Sequence, residues 1–126
     1  RLAMLLAVLD RKAGINTISQ DVYVNVVGGL KPDSTSVDLG VALAVYSSVK
    51  NARCRYRLIA CGEIGLTGEL RSVSNADKII AEASRMGYEK VIMPKKNAAK
   101  LGDKFSNCRI IGVNNIYEAI EAFKEE

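Results

Sequence analysis

The sequence predicts a mixed α/β (α+β) fold in a single compact domain spanning residues 1–126, and three observations predict it. Segments with helical apolar spacing alternate with short apolar or β-branched runs along most of the chain. Glycine and proline punctuate the boundaries between them. The composition, 48% hydrophobic and 25% charged, is that of a chain that buries a core rather than of a disordered one.

Taken in order, residues 2–13 read as a helix, with Leu2, Leu5, Leu6 and Leu9 at helical spacing and Gly14 as its C-cap. Met4 and Val8 widen its apolar face, so it is expected to be buried or covered by a neighbouring subunit or domain. Residues 20–27 alternate and carry Val and Tyr, which predicts a strand ended by Gly28 and Gly29. A loop through Lys31, Pro32 and Asp33 leads to a second helix over 37–49. Ser34, Thr35 and Ser36 precede it, and Thr35-x-x-Asp38 reads as a capping-box variant. Residues 57–61 form a short apolar strand, and 62–73 a hairpin marked by Gly65 and Gly68. A third helix over 76–85 closes at Gly87. A buried strand over 90–93 stops at Pro94. A short helix at 97–101, a strand at 109–113 and a helix at 116–123 complete the chain.

The cysteines Cys54, Cys61 and Cys108 form no C-x-x-C pair, which argues against a disulfide framework or a zinc site and fits a reducing, cytoplasmic setting. The chain contains no histidine, so Ser-His, Cys-His and His-metal chemistry are excluded within it. No apolar run is long enough for a membrane span, and no P-loop is present. Beginning at Arg1 rather than Met, the chain reads as a piece of a longer polypeptide.

The net charge of +4 is unevenly placed. Lys50, Arg53, Arg55 and Arg57 sit together, and Lys90, Lys95, Lys96, Lys100, Lys104 and Arg109 face only Asp103 between them. Arg53, Arg55 and Arg57 alternate, so an extended segment would present them on one side. Lys100 and Lys104 stand one helical step apart. Such basic segments fit either a solvated, soluble surface or an anionic partner read by charge rather than by base. The few aromatics favour duplex backbone over a single-strand stacking platform.

Three stretches carry a more specific signal: GGLKPDSTSVDLGVALA at 28–44, GEIGLTGELRSV at 62–73 and NADKIIAEASRMGYEKVIMPKKN at 75–97. In this order they resemble the proteolytic domain of the Lon family. With the opening RLAMLLAVLDRKAG they resemble still more the C-terminal Lon-protease-like domain of the RadA (Sms) family of DNA-repair proteins. The resemblance covers essentially the whole chain. It implies a Lon-type fold with a left-handed β-α-β crossover. It also implies a parent that is a ring-forming, DNA-dependent ATPase acting in repair and recombination, a hexamer at full length. Zinc and ATP would belong only to the zinc finger and RecA-like motor that precede this domain in the family, leaving no cofactor here. The partners implied are double-stranded DNA, further copies of the chain and its own ATPase domain, with no membrane.

Active Lon domains use a serine-lysine dyad in which a neutral lysine takes the serine's proton. The resemblance places Ser36 on the nucleophile position. Counting forward from the hairpin places Asp77, not lysine, on the base position. Lys78 is one residue on, about 100° around a helix, and serves only if the alignment slips. Asp38 stands where the family pattern has glycine and would hold a nearby lysine protonated. The expectation is a catalytically inactive scaffold that contributes to ring assembly and to duplex DNA binding through Lys95, Lys96, Lys100, Lys104, Arg53, Arg55 and Arg57. The alternatives are an active Ser36–Lys78 peptidase and a purely structural packing or oligomerisation module.

Overall fold

The structure, a computed structural model, describes residues 2–14, 35–52, 54, 56–102 and 107–124. The expected strand at 20–27 and the positions Arg53, Arg55 and Lys104 lie outside the described residues. Helix α1 spans Leu2–Ala13. A 3-10 turn at Thr35–Val37 leads directly into α2, Asp38–Lys50. Strand β1 (Leu58–Ala60) is followed by the hairpin of β2 (Glu63–Ile64) and β3 (Leu70–Arg71). Then come α3 (Ala76–Arg85), β4 (Lys90–Pro94), α4 (Lys95–Leu101), β5 (Arg109–Val113) and α5 (Ile116–Lys124).

Among the described residues β1, β4 and β5 form a parallel sheet in the order β1-β4-β5, with β2 and β3 antiparallel beside it. Parallel neighbours need crossovers, supplied by the hairpin with α3 between β1 and β4 and by α4 between β4 and β5. Both faces of the sheet are covered, which explains why its strands read as unbroken apolar runs. The two-residue period divides them cleanly. Leu58, Ala60, Ile92, Ile111 and Val113 pack with α1, α2 and α5. Ile59, Cys61, Val91, Met93 and Ile110 pack with Ile80 and Ala83 of α3 and Leu101 of α4.

The apolar excess of α1 is absorbed inside the domain. Leu5, Val8 and Leu9 are buried, and Met4 and Leu6 pack partly buried against the same cluster of α2 and α5 residues. Tyr46 of α2 meets Phe123 of α5 edge-on, ring centroids 6.0 Å apart. Two glycines permit close approach. A Cβ on Gly40 would lie 3.3 Å from the Ala60 carbonyl oxygen, so α2 rests directly on β1. A Cβ on Gly112 would lie 3.0 Å from both Lys95 Cα and Ala98 Cβ, so α4 rests directly on β5.

The expected capping box does not form. The N-cap of α2 is Val37, without a side-chain cap hydrogen bond. The helix start is satisfied across space instead: the Leu39 amide donates to the Gly62 carbonyl at 3.0 Å, and the Gly62 amide to the Ser36 carbonyl at 3.0 Å. The short helix begins at Lys95 rather than 97, immediately after Pro94, which stands at its N-cap and has no N–H to satisfy.

Candidate nucleic-acid interface

Strand β4 carries basic residues to both ends of the sheet, and their fates differ. At its N-terminal end Lys90 is 1% exposed, so it is no surface charge. Its ammonium donates to the Ala122 carbonyl at 2.5 Å and lies 5.4 Å from the centroid of the Tyr56 ring. Ala122 belongs to the last turn of α5, where carbonyls lack helical partners and a cation is favoured. The expectation that Lys90 joins a solvent-facing basic segment is corrected accordingly. Arg57 is exposed, with its guanidinium 4.9 Å from the centroid of Tyr88. Arg109 lies beside Lys90 in register at the same end.

At the opposite end Lys95 and Lys96 open α4, and Lys100 follows one turn later; all three are exposed. None of them makes an ion pair with a described residue. A cleft of about 220 Å³ opens beside Lys95 and Lys96. Leu70, Pro94 and Val113 supply its apolar lining, and Arg71, Ser72, Lys95, Lys96 and Asn114 its polar lining. It sits beyond the carboxyl ends of β4 and β5, where open parallel sheets commonly take ligands.

The residues around the cleft are held firmly. Buried Asn97 accepts from the Val73 amide at 3.0 Å and donates to the Val73 carbonyl at 3.0 Å, tying the segment after β3 to α4. The Leu70 amide donates to the Asn114 carbonyl at 2.9 Å, joining the hairpin to the end of β5. Arg71 lies opposite Glu63 and two residues from Glu69 on the same hairpin face. Its guanidinium is 3.2 Å from Glu69 and 3.8 Å from Glu63. Glu69 also receives the Thr67 hydroxyl at 2.6 Å and the Thr67 amide at 3.2 Å. The Thr67 hydroxyl first, with its own backbone and Arg71 assisting, holds the Glu69 carboxyl down at about 2.

The sequence-predicted site residues therefore divide. Lys95, Lys96 and Lys100 share α4. Arg57 is at the other end of β4, about 16 Å away by the strand's rise, so it does not share their surface. Arg71, Ser72 and Asn114 went unnoticed in the sequence, where GELRSV reads only as a hairpin. Ser36 is half-buried at the start of α2, on the α1–α2–α5 side of the sheet. Asp77 and Lys78 are both exposed on α3, which packs on the other side. Lys78 is not housed in an apolar pocket. Asp38 is 1% exposed and accepts from the Ile64 amide at 3.0 Å, pinning α2 to β2. All three cysteines are free thiols, and burial pushes Cys61 up to about 11. No helix among the described residues is long and apolar enough to cross a membrane.

Residues 5–97 match the family model described as subunit ChlI of Mg-chelatase. The chain belongs to this ChlI-like family. It is 40% identical to DNA repair protein RadA of Halalkalibacterium halodurans over 96% of its length. It is 42% identical to DNA repair protein RadA of Pseudomonas aeruginosa and 40% to that of Escherichia coli, each over 99% of its length. The match falls on the C-terminal part of these relatives, and the chain spans only 26–27% of their length.

Proposed function

We propose that this chain is a catalytically inactive Lon-protease-like domain that serves as a scaffold in a RadA-type DNA-repair ATPase and grips duplex DNA through its phosphates. The observation that carries the reading is the exposed trio Lys95, Lys96 and Lys100 on α4, which makes no ion pair with a described residue. Exposed lysines on one short helix suit sequence-independent phosphate contact. The motor, with its ATP and zinc, would reside in the part of the RadA relatives that this chain does not span. Loss of peptidase chemistry is supported by the exposure of both Asp77 and Lys78, since a lysine base needs an apolar pocket. Ring assembly, a further part of the proposal, draws little support from α1, whose apolar face is used within the domain. Exposed Leu66, Met86 and Tyr117 are better placed to meet another copy or the motor.

The test is duplex-DNA affinity across a salt series, for the parent chain and for the triple reversal K95E/K96E/K100E. The expected result is a steep salt slope that flattens by about 3 in the variant, one unit per phosphate contact. Equal slopes would remove the α4 face from DNA binding. No binding by the parent even at low salt would leave the chain as a packing module.

A further inference from the structure

The cleft beside α4 contains more than the lysines that the proposed function uses. We infer that it is a built seat for a single phosphoryl group, with Arg71 as its third cation and Ser72 and Asn114 as neutral donors. The inference deepens the phosphate-gripping reading and rests on it for the role of Lys95 and Lys96.

Three observations carry it. First, the charged and polar lining comes from three separate segments, Arg71–Ser72, Lys95–Lys96 and Asn114, all converging on one cleft of about 220 Å³. A flat solvated surface with scattered lysines has no such convergence. Second, the walls are preorganised. Asn97 fixes Val73, the neighbour of Ser72, through both backbone groups, and Gly112 lets the Lys95 backbone lie against β5. A preorganised site loses less entropy on binding. Third, Arg71 is 58% exposed and its present partners, Glu63 and Glu69, are not among the residues that line the cleft. Exposed pairs of this kind are weak, whereas a guanidinium–phosphate contact is charge-assisted and bidentate. A phosphoryl group in the cleft would draw Arg71 away from the two carboxylates, which therefore act as a built-in competitor. Glu63 and Glu69 lower affinity for any single anion and leave the seat to ligands that also engage the lysines.

The phosphoryl group has two possible sources, a nucleic-acid backbone or a free phosphorylated small molecule, and one experiment separates them. The chain is titrated with inorganic pyrophosphate while amide resonances are followed. The expected result is saturating shifts at Ser72, Lys95, Lys96 and Asn114, with affinity about tenfold weaker in Arg71→Gln, the loss of one charged hydrogen bond. Glu63→Gln, which removes a competitor, should tighten binding by about twofold. Non-saturating shifts spread over all exposed lysines, or unchanged affinity in Arg71→Gln with its thermal stability intact, would overturn the seat. Duplex DNA is then added at matched ionic strength. Displacement of DNA by pyrophosphate assigns the seat to the backbone. Saturation by pyrophosphate with no DNA binding at any salt keeps the seat, assigns it to a free phosphorylated ligand and removes the duplex reading.

Discussion

Lys90 and Lys95 stand at the two ends of strand β4, five residues apart, and the chain uses them in opposite ways. Lys90 is sealed beneath α5, its ammonium on the Ala122 carbonyl and near the Tyr56 ring. Lys95 is exposed at the mouth of a cleft, with no described carboxylate paired to it. A buried ammonium is tolerated only when hydrogen-bonded or paired, so Lys90 is committed to the fold. Lys95 is uncommitted and available to a ligand. The difference teaches that a run of positive charge in a sequence mixes two populations, and that only the structure sorts buried structural cations from exposed ones.

The largest expected effect tests the first of these. Lys90→Ala should lower unfolding free energy by about 3 kcal/mol, since it opens a cavity in the core and strips the α5 terminus of its donor. Lys90→Met, which keeps the volume, should recover roughly half of that loss. Urea denaturation measures both, and a parent-like midpoint for Lys90→Ala would break the comparison. Next in size is Asp38→Ala, expected to cost about 2 kcal/mol because the buried Ile64 amide loses its acceptor. Ser36→Ala, at the half-buried start of α2, should cost about 1 kcal/mol. The same variant tests the peptidase alternative: any peptide hydrolysis by the parent that vanishes in Ser36→Ala would overturn the inactive-scaffold reading.

Gly112→Ala is expected to act at the cleft end, with a stability loss of about 1 kcal/mol. The new methyl group meets the Lys95 backbone, not a flexible side-chain tip, so α4 must shift. Weaker phosphate binding beside that modest loss of stability is the expected pattern, read by pyrophosphate titration and a thermal melt. Parent-like binding would show that the position of Lys95 is not critical.

These effects also mark how far the sequence was readable. Strands β1, β4 and β5 and all five described helices are visible as apolar runs and helical spacing, because their signals are local. Lys90 was misplaced because its partner Ala122 is 32 residues away and nothing near KVIMP reveals it. Asp38 looked like a helix cap because its acceptor role toward Ile64 spans 26 residues. The lysines of α4 could be grouped because they are contiguous in sequence. Arg71, Ser72 and Asn114 were not, because only the parallel pairing of β4 with β5 and the Leu70–Asn114 hydrogen bond bring them together. Local chemistry is legible in one dimension; convergence is not.

The smallest expected effect is a pH dependence at the hairpin, where Glu69 serves both the turn and Arg71. The Thr67 hydroxyl, with further help from the backbone and Arg71, lowers its carboxyl from the ordinary 4.5 to about 2. A group lowered on folding contributes stability that is complete above its unfolded value and is lost as pH falls through its folded value. The contribution should therefore be full above about pH 4.5 and vanish as pH approaches 2. Glu69→Gln should melt slightly below the parent at neutral pH, and the two melting curves should converge as the solution is acidified. Because Glu69 is exposed, solvent screening keeps the gap small. The same acidification frees Arg71 from Glu69, so pyrophosphate affinity per unit of ligand charge should rise in the parent but not in Glu69→Gln. A gap that persists down to pH 2 would mean that Glu69 acts through packing over Gly65 and not through its charge, and Arg71 would then have no carboxylate competitor to lose there.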